Sequence, residues 1–492
     1  MIKAQDIDSQ LTSSWCTDNG GRAISSPEVE RLISVTPSQR QLEFMRLEYY
    51  NFIHFGMNTF YKREWGDGTE DLSVFNPEKL DTDQWCSVLK ETGSKGIIIT
   101  AKHHDGFCLF DTKQTDHNVM NTPFGKDIVA LLSESCKKYG LKLGVYLSPW
   151  DRHEKTYGTE EYNDFFVKQL TELCTNYGEL FCLWFDGACG EGKNGKKQVY
   201  DWDRYYSVIR ELQPDAVISI CGPDVRWIGN EAGKTRKSEW SVIPSVKDAN
   251  DEIINNSQKS EKKVKKLQSL RETDADLGSR EVVEGYDNLI FKPAEADVSV
   301  NYGWFYNDKK FNRASKMRTA EELSDIYFAS VGGNASLLLN IPPNRDGLID
   351  PRNVKQLEEF TRLINAPFAN EETLYASNLI SDGHKLAPET LFEDGEGYML
   401  LNGEKGIHMI FESAVNLTAI TLRENLSFSQ RVEEFEIYAS KGKGFRKIYS
   451  GTVIGSKRIV RFRKPVKATE LLIVPTVSRG NPVLKDIRIF KK

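Results

Sequence analysis

The 492-residue chain lacks any run of about 18 consecutive apolar residues, so no membrane-spanning helix is expected. Its first residues, MIKAQDIDSQLTSSW, lack the apolar core of a signal peptide. That leaves a periplasmic or secreted protein whose leader has been removed as the first expectation, and a cytoplasmic protein as the other. An excess of basic charge is missing too. Lys and Arg number 65 against 71 Asp and Glu, the net charge is −6, and the signs are mixed along the chain. No basic face for nucleic acid is implied. Cysteine is scarce and confined: all eight lie between Cys16 and Cys221, without a CxxC pair. Cys174, Cys182 and Cys221 sit in apolar runs, which points to buried reduced thiols rather than a disulfide framework or a zinc site. No HxH or HExxH spacing occurs. The residues after the first apolar run, HFGMNTFYKREWGDG, do not match a Gly-rich phosphate loop. No metal and no cofactor is expected.

What is present is an alternation. Short apolar runs (NFIHFGMN, GIIITAKHHD, KLGVYLSPW, LFCLWFDG, AVISICGP) read as buried strands. Between them DTDQWCSVLKETG, DIVALLSESCKKYG, YNDFFVKQLTELCTNYG and DWDRYYSVIRELQP carry helical spacing. Three end in Gly and one stops before Pro214, and Asp81 and Asp201 are candidate N-caps. Strands alternating with helices predict a parallel sheet covered on both faces. The pattern continues to ASLLLNIPP and VKQLEEFTRLIN, which suits an α/β fold of the (β/α)8-like barrel type over residues 1–367.

Two regions depart from it. Residues 245–284 are polar and densely charged, and read as a solvated insertion, partly helical. Beyond about residue 368, near Pro367, short alternating runs such as VEEFEIYAS, ATELLIVPTV and LKDIRIF predict an all-β sandwich over 368–492.

Chemistry in a βα barrel gathers at the C-terminal strand ends. Those ends bring His54, Glu64 and Trp65, then His103 and His104, then Tyr146 and Trp150, then Asp186, and then Asp224, Arg226, Trp227 and Glu231. Carboxylates with aromatic platforms suit sugars: one carboxylate attacks or activates water, another protonates the leaving oxygen, and rings stack on the pyranose. Adjacent strand residues point to opposite faces, so His103 and His104 are expected to bind hydroxyls rather than share a metal. His117, His153, His384 and His408 have no such setting and are expected at the surface.

The stretches FIHFGMNTF, REWGDG, YLSPW, LWFDG and AKHHDGFCLFDT closely resemble motifs of the α-L-fucosidases of glycoside hydrolase family 29, over most of residues 45–365. The resemblance implies a (β/α)8-like barrel and a retaining double displacement on terminal fucose, with a fucosylated oligosaccharide or glycoconjugate as substrate. It places the nucleophile at Asp186 and fucose contacts at His54, Glu64, Trp65, His103, His104 and Tyr146. RWIGNEAG resembles the loop of the subfamily acting on branched α-1,3/1,4-linked fucose, which makes Glu231 the acid/base. Glu295 is the rival, and Glu239 a weaker candidate with Trp240 as a wall of the site. Trp304 is expected to line the pocket, Trp227 to desolvate Glu231, and Arg226 to steady charge at Asp186 or bind a neighbouring sugar. For retention the carboxyls should stand about 5–5.5 Å apart, with Glu231 raised in pKa and Asp186 low. The C-terminal region resembles a discoidin-like module, either a cap on the barrel or a carbohydrate-binding unit. The alternatives are a glycan-binding protein without catalysis and a glycosidase of other sugar specificity on the same barrel.

Overall fold

A computed structural model describes residues 26–257, 270–309, 312–372, 379–381, 384–391, 395–401 and 405–492. Cys16 and the middle of the polar insertion, 258–269, lie outside the described residues.

The apolar runs form parallel strands β1 (Tyr49–Ile53), β2 (Gly96–Lys102), β3 (Lys142–Leu147), β4 (Leu180–Phe185) and β5 (Val217–Ile220). Three further members follow: β6 (Arg226–Trp227), and, after a hairpin of β7 (Val242–Pro244) and β8 (Leu289–Phe291), β9 (Ala294–Ser299) and β10 (Ala335–Asn340). The eight-stranded sheet runs β5-β4-β3-β2-β1-β10-β9-β6. A parallel bridge from Ser219 to Val225 brings the last member back beside β5, so the barrel is nearly closed. Strands β1, β2, β4, β5, β9 and β10 are buried at every position, as a sheet covered on both faces requires.

The helices begin and end where capping chemistry dictates. Asp81 and Asp201 accept hydrogen bonds from the Gln84 and Arg204 amides and start helices Thr82–Glu91 and Trp202–Leu212. Gly140, at φ 64°, stops Ile128–Tyr139 in the left-handed region, which a Cβ would disfavour. The seven described cysteines are free thiols, and all but half-buried Cys189 are buried.

After helix Pro351–Asn365 the chain becomes antiparallel β. The long strands Ile407–Glu424 and Arg458–Ser478 pair with each other, and Val483–Lys491 flanks the first of them. This unit is bound to the barrel by buried polar contacts. Arg479, held within the unit by Glu433 at 2.7 Å, stacks over Trp240 of the barrel at 4.5 Å, and the Ser456 amide donates to Asn334. Glu48, at the entry to β1, meets Lys457 at 2.7 Å and Arg423.

Burial opposes ionisation of Glu48, but Lys457 and Arg423 outweigh it and hold its carboxyl down to about 2. Its contribution is therefore present above the ordinary carboxylate range and is lost as pH falls through about 2. Glu48→Gln is expected to lower the thermal midpoint at pH 7, with the deficit narrowing as the pH is taken towards 3. A pH-independent difference between the two proteins would contradict this.

Candidate active site

One cavity at the C-terminal strand ends is bordered by His54, Glu64, Trp65, His103, His104, Tyr146, Asp186, Trp227, Glu231 and Trp304, all named from the sequence. It is bordered as well by groups the sequence did not single out: Phe52, Trp184, Ile253, Ser257 and Asp297.

Asp186 follows the last residue of β4. Its Oδ2 accepts the Tyr146 hydroxyl at 2.9 Å and its Oδ1 the Ala188 amide at 2.7 Å, which fixes the carboxyl in one orientation. Burial raises it to about 6; the amide and the phenol oppose that rise, and Glu231 adds to it. The sequence expectation of a low value is thus corrected: burial outweighs the phenol and the amide. The space over the glycine after Asp186 is used by protein. A Cβ on Gly187 would lie 2.4 Å from Ile253 Cγ2. Ser257 Oγ donates to the Gly187 carbonyl at 2.9 Å. The described start of the polar insertion, helix Ala249–Asn256, is therefore a wall of the cavity rather than a solvated surface.

Burial drives His54 and His104 down to about 3 and His103 well below its usual value, so all three imidazoles are neutral. Their hydrogen-bond networks assign the tautomers. Asn340 donates through Nδ2 to Ser299 Oγ and the Trp304 carbonyl, so its Oδ1 accepts from His54 Nδ1 at 2.9 Å. Ser148 donates to the Trp150 carbonyl and therefore accepts from His104 Nδ1 at 2.7 Å. Nε2 of both rings is left as an acceptor. Asn58 Nδ2 lies 3.4 Å from His103 Nδ1, which makes that ring an Nε2–H donor. The chain leaves β2 at Lys102, so His103 and His104 do not alternate across a strand. Their rings sit 4.1 Å apart and both border the cavity. This corrects the opposite-face expectation. Among the described residues no group of three or more His, Cys, Asp or Glu side chains is placed to hold a metal.

Glu64 accepts the Trp304 amide at 2.7 Å through Oε2, while its Oε1 is buried without a partner. That is an acceptor ready for a hydroxyl. Trp65 is 43% exposed and meets His104 and Trp150 edge-on, an aromatic face at the rim. Glu231 reaches solvent and takes the Trp304 Nε1–H at 3.1 Å. The surrounding wall desolvates its carboxyl and raises it, which the indole hydrogen bond opposes.

Several expected site residues lie elsewhere. Glu295 is fully buried beneath the cavity, bonded to Tyr50 and, at 2.7 Å, to Trp184 Nε1, so it cannot reach a leaving group. Arg226 is buried and pairs with Glu239 at 2.7 Å; neither borders the cavity. Trp240 packs under Arg479 instead of forming a wall of the site. Asp224 accepts the Ile218 amide and pairs with Arg210, a structural role. His117 is buried, stacked 4.0 Å from His153, and not at the surface; His408 is partly exposed and bonded to Glu470. Glu239→Gln strands the Arg226 guanidinium in the interior, and an expected cost of about 3–5 kcal/mol should appear as a lower unfolding midpoint. An unchanged midpoint would contradict the structural reading of this pair.

The alpha-L-fucosidase family model matches residues 30–366. Alpha-L-fucosidase 1 of Arabidopsis thaliana is 36% identical over 475 residues, covering 92% of this chain and 87% of that protein. A crystal structure from Bacteroides ovatus is 40% identical with a TM-score of 0.80, covering 94% of this chain and 75% of the other. A Ruminococcus gnavus family 29 fucosidase in complex with fucose is 28% identical with a TM-score of 0.76, covering 93% and 95% of the two chains. With a matching family model, curated relatives and a shared barrel, the chain belongs to the α-L-fucosidase family, glycoside hydrolase family 29.

Proposed function

We propose that the protein removes terminal fucose from branched α-1,3/1,4-fucosylated glycans with retention of configuration. Asp186 Oδ attacks the anomeric carbon as the bond to the glycosidic oxygen breaks, and Glu231 gives its proton to that oxygen. Glu231 then takes a proton from water, which displaces Asp186 and releases fucose. The observation that carries the reading is one cavity holding both carboxyls together with three neutral imidazoles. His54 and His104 accept from sugar hydroxyls, His103 donates, and the free Glu64 oxygen accepts. Phe52 and Trp304 meet near the His54 ring and offer an apolar surface to the fucose methyl group. The fucose held by the Ruminococcus gnavus relative is a ligand of the same chemistry. The likeness of RWIGNEAG to the branched-linkage subfamily supports the linkage, as does the exposed Trp65 face, which leaves a platform for a second sugar.

Fucose release from a Lewis-type trisaccharide is expected to exceed release from an α-1,2-fucosylated lactose by at least about tenfold in kcat/KM, a difference of about 1.4 kcal/mol. Equal rates would overturn the linkage, and no release from either would favour a binding protein. Asp186→Asn should abolish turnover while leaving the fold intact.

Asp186 must be ionised to attack, so kcat/KM should fall as pH drops through about 6. Tyr146→Phe removes a hydrogen bond that favours the ionised form, so this acid limb should move up by about 1 pH unit. An unmoved limb would separate Asp186 from the titration.

A further inference from the structure

The segment carrying Glu231 is laced to β9. The Arg226 amide donates to the Pro293 carbonyl at 3.0 Å and the Ile228 amide to the Glu295 carbonyl at 3.1 Å. Ala232 then bridges Val298. Gly229 and Gly233, at φ 87° and 65°, give the turns on either side of Glu231. One side chain completes the lacing at the level of the cavity. Trp227 Nε1 donates to Asp297 Oδ1 at 2.7 Å. Asp297 is 3% exposed, borders the cavity, and stands two residues beyond Glu295 on the same inward face of β9. The mechanism above gives it no task.

Among the described residues, the side-chain hydrogen bond to this buried carboxyl comes from the Trp227 indole. Burial, reinforced by Glu231, pushes the Asp297 carboxyl well above its ordinary range. Its hydrogen bond anchors Trp227, and through it the loop that carries Glu231.

We propose that Asp297 is the positioning residue for the acid/base: by holding the Trp227 indole it fixes the loop that aims Glu231 at the glycosidic oxygen. This rests on the assignment of Glu231 above. It follows that Asn, which still accepts from Trp227, can replace Asp297, whereas Ala cannot.

The test compares a leaving group that needs a proton with one that does not. Fucose release is measured from the Lewis-type trisaccharide and from 2-chloro-4-nitrophenyl α-L-fucoside, whose phenolate departs unprotonated. Asp297→Asn is expected to stay within about threefold of wild type on both substrates, and Asp297→Ala to lose at least about 30-fold in kcat/KM, which reports the first displacement, on the trisaccharide but under about threefold in kcat/KM on the aryl fucoside. Equal losses on the two substrates for Asp297→Ala, or a trisaccharide loss in Asp297→Asn as large as in Asp297→Ala, would overturn the proposal. Asp297→Asn keeps the hydrogen bond and serves as the folded comparison should Asp297→Ala prove unstable. Glu231→Gln is run alongside. If it lacks the leaving-group dependence, the assignment of Glu231 fails; if it shows the dependence and Asp297→Ala does not, only the role of Asp297 fails.

Discussion

The Asp186 carboxyl leaves β4 into a pocket walled by Phe52, Trp184, Trp227 and Trp304, and burial against those walls governs the charge of the groups around it. Burial raises each acid that borders the cavity and lowers each imidazole. The same cause thus yields groups of different use. Asp186 keeps the Tyr146 phenol and the Ala188 amide as stabilising donors, which limit its rise to about 6. Glu231 has an indole alone. The three histidines become uncharged hydrogen-bonding groups whose donor and acceptor directions are set from behind by Asn340, Asn58 and Ser148.

Charge that is not needed for chemistry is placed away from the cavity and paired. Arg226 with Glu239, Lys292 with Glu272 and Lys102 with Asp151 are buried ion pairs around the barrel. Each would be costly if broken, because the surviving partner would be left unpaired in the interior. The C-terminal β unit takes part in this arrangement. Arg479 pairs with Glu433 and covers Trp240, while Lys457 and Arg423 hold Glu48 at the start of β1. These contacts tie the β unit to the barrel.

The strongly apolar strands were legible in the sequence because a parallel barrel strand must be apolar on both faces, and the pattern of Ile, Val and Leu in β2 and β4 satisfies that. Asp186 was legible through its surroundings: an Asp closing a strand is by itself a common turn residue, as its bond from the Ala188 amide shows, but it closes β4 where a barrel gathers its chemistry. Strand β9 was not. Its inward positions are Glu295, Asp297 and Ser299, so AEADVS reads as polar loop although every residue is buried. Asp297 could have been found from the alternation with Glu295 once β9 was recognised. Strand β6, at two residues, is too short to carry any periodicity. The wall formed by Ile253 was hidden because a single apolar residue in a charged helix looks like a solvated face; only the space over Gly187 shows why it is there. Arg226 was misplaced because nearness in sequence to Glu231 said nothing of the inward turn that carries its side chain to Glu239.

The most direct test of this account is to incubate the enzyme with a 2-deoxy-2-fluoro fucosyl fluoride, which slows the second displacement, and to map the mass of the labelled peptide. The account predicts one fluorofucosyl adduct, on the peptide holding Asp186, and none in Asp186→Asn. An adduct on another carboxylate, or release of fucose with inverted configuration and no adduct, would contradict it.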